Sequence, residues 1–256
     1  MYCIYGNQMK TYGLIGFPLE HSASADYFNA KFKAEGLNAE YKPFAIESLK
    51  DLSDILKQNP SLRGFNVTSP HKENILNHLS YIDPEAKLIG AVNVVKIKRG
   101  FLGRKEFWGY NTDYLAFEET IRNLDLPPFQ KALILGSGGA SKAVERSFKR
   151  LGIACDVVSR TPQGAQKSYH DITPEVLTSY TIIVNATPLG MQPYIDKAPE
   201  ISYHALSDNQ LCYDLIYNPE KTEFLKQAEA RGARIKNGLE MLILQANEAW
   251  EIWRRS

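Results

Sequence analysis

Short apolar stretches alternate with segments of helical periodicity along most of the chain. The stretches that we interpret as strands lie at residues 11–15, 41–45, 64–67, 90–95, 132–135, 154–158, 181–187, 211–217 and 234–236. Helices are predicted near residues 25–34, 49–57, 73–79, 114–123 and 222–230, and from the glycines after residue 135 to about residue 151. This alternation predicts an α/β protein in which helices connect neighbouring strands.

A last amphipathic helix is predicted from residue 239 onward. Its expected apolar face, at helical spacing, consists of Leu239, Leu242, Ile243, Ala246, Ala249 and Trp253. Gly238, Met241 and Gln245 lie one turn apart on the adjoining flank, so they share a line on the helix surface. Asn237 and Glu240 have the spacing of an N-terminal capping arrangement.

The stretch KALILGSGGASKAV, residues 131–144, reads as a strand, a glycine turn and a helix start. Gly136 permits a sharp turn and Gly138 lets the backbone approach a phosphate, while N–H groups at the helix start supply donors. The pattern predicts that Gly136, Gly138, Gly139 and Ala140 bind a dinucleotide pyrophosphate. An ordinary glycine-rich loop is the alternative, because Ser141 at the third motif position is small but polar.

Composition narrows the classes of function. The 256 residues suffice for one large or two modest domains, and a net charge of +1 predicts neither a nucleic-acid nor a membrane partner. No long apolar segment or signal-peptide core is visible, so we expect a cytoplasmic protein. We also expect either a monomer or a homodimer. The three cysteines are widely spaced and the histidines lack ligand spacing, so we expect reduced thiols and no metal site.

Polar side chains gather where predicted strands of the first half end. Ser22 and Ser24 stand at the start of the helix near residues 25–34, where they would either cap it or bind a carboxylate. The stretch NVTSPHK places Asn66, Thr68 and Lys72 directly after a strand, where α/β proteins bind ligands. An ordinary exposed lysine is the alternative interpretation of Lys72.

Two further polar motifs follow in the first half. Asn93 ends GAVN, and Asp113 ends GYNTD after a predicted hairpin around residues 99–103. Asn111, Thr112 and Asp113 also suit a helix cap, so Asp113 is either a cap or a catalytic carboxylate. Prolines at 127 and 128 end the next helix and mark a domain boundary.

Five motifs follow one another along the chain, and in chain order they are an S-x-S loop, NVTSPHK, GAVN, GYNTD and LILGSGGAS. Together they resemble the motifs of the shikimate dehydrogenase family across nearly the whole chain. The resemblance implies that Ser22 and Ser24 hold the substrate carboxylate. The ring hydroxyls would be contacted by Asn66, Thr68, Asn93 and Asp113. Lys72 and Asp113 would form the catalytic pair. Tyr110 departs from the acidic residue often found between the glycine and asparagine of GYNTD.

The end of the predicted strand at 154–158 indicates the cofactor. NAD sites usually place an acidic residue about 20 residues beyond the glycines, whereas this chain has Ser159, Arg160 and Thr161. A guanidinium can bind a 2′-phosphate through two hydrogen bonds, so the sequence favours NADP, with Arg160 as the main contact and Ser159 and Thr161 as minor contacts. Ser159 is shorter than the asparagine frequent in the family, and a solvated arginine is the alternative for Arg160.

Later motifs supply the remaining candidates. NATPLGM and YDLIYNP resemble further family motifs, and the cofactor-lining residues that they imply are Ala186, Thr187 and Leu215. The same resemblance implies that Tyr217 reaches the substrate carboxylate. NGLEMLILQANEAW resembles the last helix of the family, which implies that Gly238 and Met241 lie beside the nicotinamide and that Gln245 meets the substrate. Core packing is the alternative for Tyr217 and Met241.

We therefore expect an α/β protein of two domains. Residues 1–113, completed by 238–256 as the last helix returns, would form an α/β substrate-binding domain. Residues 114–237 would form a Rossmann-like, doubly wound NADP-binding domain, with the active site in the cleft between the two.

The resemblance implies reversible NADPH-dependent reduction of 3-dehydroshikimate to shikimate, in aromatic amino acid biosynthesis. A quinate or quinate/shikimate dehydrogenase using NAD is one alternative, but it predicts an acidic residue near position 160 and often threonine in place of Ser24. A regulatory module that responds to NADP or shikimate without turnover is another, and the presence of Lys72 and Asp113 argues against it.

Overall fold

The computed structural model describes residues 9–19, 23–99, 104–124 and 129–255. It divides the chain into two compact units, the first formed by residues up to Thr112 together with those from Ala246 onward. The second unit is Asp113–Gln245. The last helix therefore serves both cores, with Met241 in a cluster of the second unit and Trp250 in a cluster of the first.

The first unit is built on a mixed sheet. Its strands are β1 (Lys10–Gly16), β2 (Ala39–Ala45), β3 (Leu62–Val67), β4 (Tyr81–Ile82), β5 (Val94–Arg99) and β6 (Lys105–Tyr110). Its helices are α1 (Ser24–Ala34), α2 (Leu52–Gln58) and α3 (Pro84–Ile89), with 3₁₀ turns at Leu49–Asp51 and Asn74–His78. The strand order is β2-β1-β3-β5-β6-β4. Since β1 and β3 are parallel and β5 is antiparallel to β3, the carboxyl ends of β1 and β3 lie on the same side of the sheet as the start of β5.

Core clusters lie on both faces of this sheet, which explains why nearly all residues of β1 and β3 are buried. Tyr12 and Leu14 of β1 pack into one cluster with residues of α1 and the last helix, whereas Ile15 packs into the opposite cluster with Phe65. Successive side chains of a strand point to opposite faces, so one strand contributes to two cores.

The second unit is built on a parallel sheet. Its strands are β7 (Lys131–Leu135), β8 (Ala154–Val158), β9 (Ile182–Asn185), β10 (Leu211–Asp214) and β11 (Arg234–Lys236). Its helices are α4 (Asp113–Arg122), α5 (Gly139–Leu151), α6 (Pro174–Leu177), α7 (Glu223–Glu229) and the first part of α8 (Leu239–Arg254), with 3₁₀ turns at Tyr169–Asp171 and Tyr203–Ala205. The order β11-β10-β9-β7-β8 places β8 and β9 on opposite sides of β7.

This strand order makes the sheet doubly wound. The chain leaves β7 toward β8 and later returns to β9 on the other side, so the topology reverses at β7. Phe117 and Phe148 pack in a cluster on one face, and Phe224 and Leu225 pack in a cluster on the other. The predicted Rossmann-like α/β fold class is confirmed, and the carboxyl ends of β7 and β9 flank the crevice where such sheets bind ligands.

Some predicted elements differ from the structure. The helical stretch predicted at residues 73–79 is present as a 3₁₀ helix, Asn74–His78, and is therefore shorter than predicted. The expected apolar face of α8 is partly wrong, since Leu239 is 48% exposed and Ile243 is 38% exposed, whereas Trp250 is buried. A helix shared by two cores need not keep one continuous apolar stripe. The tip of the predicted hairpin, residues 100–103, lies outside the described residues.

Two of the three cysteines lie among the described residues. Cys155 and Cys212 are free thiols, and burial raises their pKa to about 11 and about 12, while Cys3 lies outside the described residues. In the described ranges we find no helix with the length and apolar character needed to cross a bilayer. The same ranges contain no group of three or more histidine, cysteine or acidic side chains arranged for a metal ion.

Candidate functional site

The loop after β3 carries the polar side chains of NVTSPHK. Asn66 is the last but one residue of β3, and Thr68 follows the strand with its backbone N–H donating to the Ile15 carbonyl at 2.8 Å. The backbone N–H of Val92 donates to the carbonyl of Lys72, also at 2.8 Å. Asn66, Thr68 and Lys72 are thereby held near the carboxyl end of β3.

His71 stabilises this loop from the protein interior, a role that the sequence analysis missed. Its ring Nε2 lies 2.7 Å from the carbonyl oxygen of Ile46, and the residue is 3% exposed. Because a carbonyl only accepts, Nε2 must carry the proton in this contact. The backbone N–H of His71 donates to the Thr68 carbonyl at 2.9 Å. The buried His71 therefore fixes the backbone directly before Lys72.

Asn66 and Asn93 are brought together by the pairing of β3 with β5. Asn66 Nδ2 donates to the Asn93 carbonyl at 3.2 Å, and the backbone N–H of Val67 donates to the same oxygen at 2.8 Å. Asn93 Oδ1 accepts from the Thr112 N–H at 2.8 Å, while its Nδ2 donates to the Thr112 hydroxyl at 3.0 Å. The network thus positions two predicted substrate-binding amides and ends at the residue before Asp113.

Two of the other predicted catalytic and carboxylate-binding residues, Ser24 and Asp113, lie at the starts of helices. Ser24 is the first residue of α1, and Ala23 holds the N-cap position, which argues against Ser24 as the helix cap. Ser22 lies outside the described residues. Asp113 is the first residue of α4 and is 5% exposed, whereas Lys72 is half-buried in the first unit. The catalytic pair draws one member from each unit and stays a prediction.

The glycine turn of the second unit leaves room for a ligand. Gly136 follows β7 with a φ of +109°, where a Cβ would lie 3.1 Å from the Ala186 carbonyl oxygen. Gly138 is the N-cap of α5, and a Cβ there would meet no atom within 4 Å. Gly139 and Ala140 begin the 13-residue helix. Open space before the N-terminus of a long helix fits a dinucleotide pyrophosphate.

Serine hydroxyls tie the glycine turn to its surroundings. Ser141 is 1% exposed and donates to the Gly136 carbonyl at 2.6 Å, so the polar residue at this motif position has a structural reason. Ser137 and Ser159 join the turn to the loop after β8 through a contact of 3.0 Å between their hydroxyl oxygens. Ser159 Oγ also accepts from the Thr161 N–H at 3.2 Å.

The loop after β8 presents a cation to solvent. Ser159 is 5% exposed, so its hydroxyl organises the loop, whereas Arg160 and Thr161 are exposed. The loop carries a guanidinium where NAD-selective sites carry a carboxylate, and an exposed guanidinium fits the extra phosphate of NADP.

A buried carboxylate, Asp214, joins the ends of β9 and β10, and the sequence analysis did not assign it a role. It accepts from the Thr222 hydroxyl at 2.5 Å, from Asn185 Nδ2 at 3.1 Å and from the Ile216 N–H at 3.0 Å. Asn185 Oδ1 in turn accepts from the Thr187 hydroxyl at 2.6 Å. Burial raises the pKa of Asp214 to about 6, and its hydrogen bonds oppose that rise. The network orders the strand ends that carry Thr187 and Leu215.

Gly238 lets the start of α8 approach the end of β10. Its N–H donates to the Ile216 carbonyl at 3.0 Å, and a Cβ at this position would collide with the Leu215 carbonyl oxygen. This packing requires glycine whether or not a nicotinamide lies nearby.

The remaining predicted residues lie along α8 and the loop after β10. Met241 is 7% exposed and packs in a core cluster of the second unit. Gln245 is half-buried and its Nε2 donates to the Leu242 carbonyl at 3.0 Å, and Tyr217 is half-buried. Their contacts with substrate and cofactor stay predictions.

Known proteins match nearly all of this chain. The family of the shikimate dehydrogenase substrate binding domain matches residues 14–95. A shikimate dehydrogenase (NADP(+)) of Desulforamulus reducens is 36% identical, covering 98% of this chain and 92% of its own length. The crystal structure of the Aquifex aeolicus shikimate dehydrogenase has a TM-score of 0.84 at 33% identity, covering 97% of this chain and 94% of that one.

A ligand-bound relative extends this likeness. Shikimate 5-dehydrogenase from Thermus thermophilus, solved in complex with NADP(H) and shikimate, has a TM-score of 0.82 at 31% identity and covers 96% of this chain and 94% of that one. Identity above 30% over almost the full length of both chains, with the glycine turn and the NVTSPHK loop in place, shows that this chain belongs to the shikimate dehydrogenase family.

Proposed function

We propose that the protein is an NADP-dependent shikimate dehydrogenase, which catalyses the reversible reduction of 3-dehydroshikimate to shikimate with NADPH. One observation carries the proposal: a chain of this family keeps Lys72 in an ordered NVTSPHK loop and an exposed Arg160 after β8. Its curated relatives are NADP(+)-dependent shikimate dehydrogenases. A place in aromatic amino acid biosynthesis follows from the reaction, and a cytoplasmic location and a monomeric or dimeric state stay predictions.

The cofactor would be held by the glycine turn and the loop after β8. The backbone of Gly136, Gly138, Gly139 and Ala140 would receive the pyrophosphate at the N-terminus of α5, where N–H donors and the helix dipole favour an anion. Arg160 would bind the 2′-phosphate. The groups proposed to line the rest of the cofactor are Thr161, Ala186, Thr187, Leu215, Gly238 and Met241.

The substrate would be held through its carboxylate and its ring hydroxyls. Ser22, Ser24 and Tyr217 are proposed to bind the carboxylate through their hydroxyl groups. The residues proposed for the ring hydroxyls are Asn66, Thr68, Asn93, Asp113 and Gln245. Support comes from the buried bonds that fix the amides of Asn66 and Asn93, since a preorganised donor loses little entropy on binding.

The chain itself has to manage one proton. Bound NADPH would supply the hydride that adds to the ketone carbon. As the carbonyl electron pair moves onto oxygen, the Lys72 ammonium would stabilise the developing charge and give a proton to that oxygen, which forms the hydroxyl of shikimate. Asp113 would orient the ammonium and accept a hydrogen bond from a substrate hydroxyl. Lys72 then regains its proton from solvent.

The function is tested by following the chemistry to its product. Purified protein is mixed with NADPH and 3-dehydroshikimate, NADPH oxidation is followed by absorbance, and the product is identified by mass spectrometry. We expect one shikimate for each NADPH oxidised. No oxidation above the protein-free control, or oxidation without shikimate, would reject the proposed function.

A further inference from the structure

Tyr41 stands out in β2, a strand at the edge of the first sheet. Of the seven described residues of β2, Tyr41 alone is fully buried, at 2% exposure. Its ring stacks on Phe28 with centroids 4.6 Å apart and planes inclined by 12°. Its backbone N–H donates to Asn29 Oδ1 at 2.8 Å, and its carbonyl accepts from Asn29 Nδ2 at 3.0 Å. The ring and the backbone of Tyr41 are therefore both held by contacts that do not involve its hydroxyl.

The pairing of β2, β1 and β3 places the Tyr41 side chain on the same face of the sheet as Asn66. Tyr41 is aligned with Tyr12 of β1, and Tyr12 is aligned with Gly64 of β3. Asn66 is two residues beyond Gly64, so its side chain lies on the same face of the sheet. Gly64 carries no side chain, and a Cβ there would collide with the Trp253 indole.

The hydroxyl of Tyr41 meets Asn66 Oδ1 at 2.8 Å, and both residues are buried. Asn66 Nδ2 donates to the carbonyl of Asn93 at 3.2 Å. Since a backbone carbonyl can only accept, the amide nitrogen must face Asn93 and the amide oxygen must face Tyr41. The orientation of the Asn66 amide is thus fixed from both sides. Burial also raises the pKa of Tyr41 well above its ordinary value, which keeps the hydroxyl protonated as a donor.

We infer that Tyr41 is a positioning residue for substrate binding, whose hydroxyl holds the Asn66 amide so that its second N–H is presented to a ring hydroxyl of the substrate. The inference rests on the proposed function, in which Asn66 contacts such a hydroxyl. Without the tyrosine hydroxyl, Asn66 Oδ1 loses a buried donor and the amide is free to rotate about its last torsion. The binding geometry would then have to be restored each time a substrate arrives.

A double-mutant cycle tests this role. Tyr41→Phe removes one oxygen and keeps the ring stacked on Phe28. We expect the KM for shikimate to rise about three- to tenfold, with kcat within about twofold and the KM for NADP+ unchanged, as for a lost uniform binding interaction. In the Asn66→Ala background, Tyr41→Phe should raise the KM no further, because the amide through which it acts is absent.

Tyr180→Phe is the matched control. Its hydroxyl donates to Asp156 Oδ2 at 2.7 Å, and it precedes β9, at the end of the second sheet opposite the glycine turn. Each of the two variants loses one hydrogen bond and should lower the thermal midpoint, but Tyr180→Phe should leave the KM for shikimate unchanged. The inference would be overturned by an unchanged KM for shikimate in Tyr41→Phe. It would also be overturned if Tyr41→Phe raised this KM by the same factor in the wild-type and Asn66→Ala backgrounds. In either case, shikimate oxidation by the wild-type protein would still support the proposed function. A wild-type chain that fails to oxidise shikimate would reject both.

Discussion

Lys72 is the residue on which the proposed proton transfer depends. Replacing it with alanine removes the group that stabilises and protonates the ketone oxygen, while the loop remains held by His71 and by the bond from Val92. We expect Lys72→Ala to lower kcat by about 10² to 10⁴, with a much smaller change in the KM for shikimate. Steady-state kinetics of shikimate oxidation measure both values.

Asp113 provides the second arm of this test. If it orients Lys72, the double variant Lys72→Ala with Asp113→Asn should be far less impaired than the product of the two single losses. Lys57→Ala is the control, since its ammonium pairs with Asp54 on the surface of α2 and should leave kcat unchanged. Independent, multiplicative losses at Lys72 and Asp113 would contradict a shared catalytic unit.

Arg160 carries the choice of cofactor in this account. Its side chain is exposed in the loop that Ser159 and Ser137 organise, so Arg160→Ala should leave the fold intact. We expect kcat/KM for NADP+ to fall about tenfold to a hundredfold and that for NAD+ to change little, because only NADP+ has the 2′-phosphate. Arg231→Ala, another exposed arginine of the second unit, is the control. An equal loss with both cofactors would assign Arg160 a structural role instead.

Asp214 gives the second unit a pH-dependent stability. Its folded-state pKa of about 6 exceeds the ordinary value of 3.8, so between pH 4 and 6 the folded state binds more protons than the unfolded state. Stability then falls as pH rises through this window, by up to about 3 kcal/mol for this group. Urea unfolding of wild type and Asp214→Asn at pH 4.5, 5.5 and 7 should show the wild type losing stability relative to the variant as pH rises. A constant difference between the two would exclude this titration.

At the scale of elements, alanine substitutions of Gly138 and Gly238, the glycines that directly precede α5 and α8, should differ in their effects on stability and on cofactor binding. Gly138 has a φ of −81° and open space around it, so Gly138→Ala should change the thermal midpoint little, because the lower entropy of the unfolded chain offsets the poorer capping by alanine. Its new methyl group would occupy the space assigned to the pyrophosphate, so the KM for NADP+ should rise more than about tenfold.

Gly238→Ala, by contrast, should destabilise the fold. Its methyl group would collide with the Leu215 carbonyl oxygen, so the start of α8 has to move and the thermal midpoint should fall by several degrees. Differential scanning fluorimetry and NADP+ kinetics of both variants decide the matter. An unstable Gly138→Ala or an undisturbed Gly238→Ala would contradict the described turn.

The sequence predicts elements well where local pattern alone decides them. β8 has the predicted bounds because its apolar residues Val157 and Val158 are followed at once by polar Ser159, and β11 also has the predicted bounds. β9 and β10 end earlier than predicted, because Asn185 and Asp214 turn their side chains into a buried network. The burial of Trp250 in place of Ile243 on α8 could not be predicted, since it depends on the two cores that the helix serves.

The candidate site shows the same division. Gly136, Lys72 and Arg160 belong to motifs that can be read from neighbouring residues. The roles of Tyr41, His71 and Asp214 cannot, because each has a hydrogen-bond partner 25 or more positions away in the chain, namely Asn66, Ile46 and Asn185. Contacts of that range exist only after strands from different parts of the chain have paired.

At the scale of the whole molecule, the described units divide the proposed tasks. The first unit contains the NVTSPHK loop and the Asn66–Asn93–Thr112 network, and it includes the residues matched by the substrate binding domain family. The second unit contains the glycine turn and the loop of Arg160. Catalysis by such a chain requires both ligands, so selectivity for the substrate and for the cofactor can be measured together.

The most direct test of the account is therefore the kcat/KM of the wild-type protein for shikimate and for quinate, each with NADP+ and with NAD+. We predict that shikimate with NADP+ is the best pair, with NAD+ at least about tenfold poorer because Arg160 gains no phosphate to bind. Higher kcat/KM for quinate with NAD+ would contradict the account in favour of a quinate dehydrogenase. No turnover with any of the four pairs would contradict it in favour of a regulatory module.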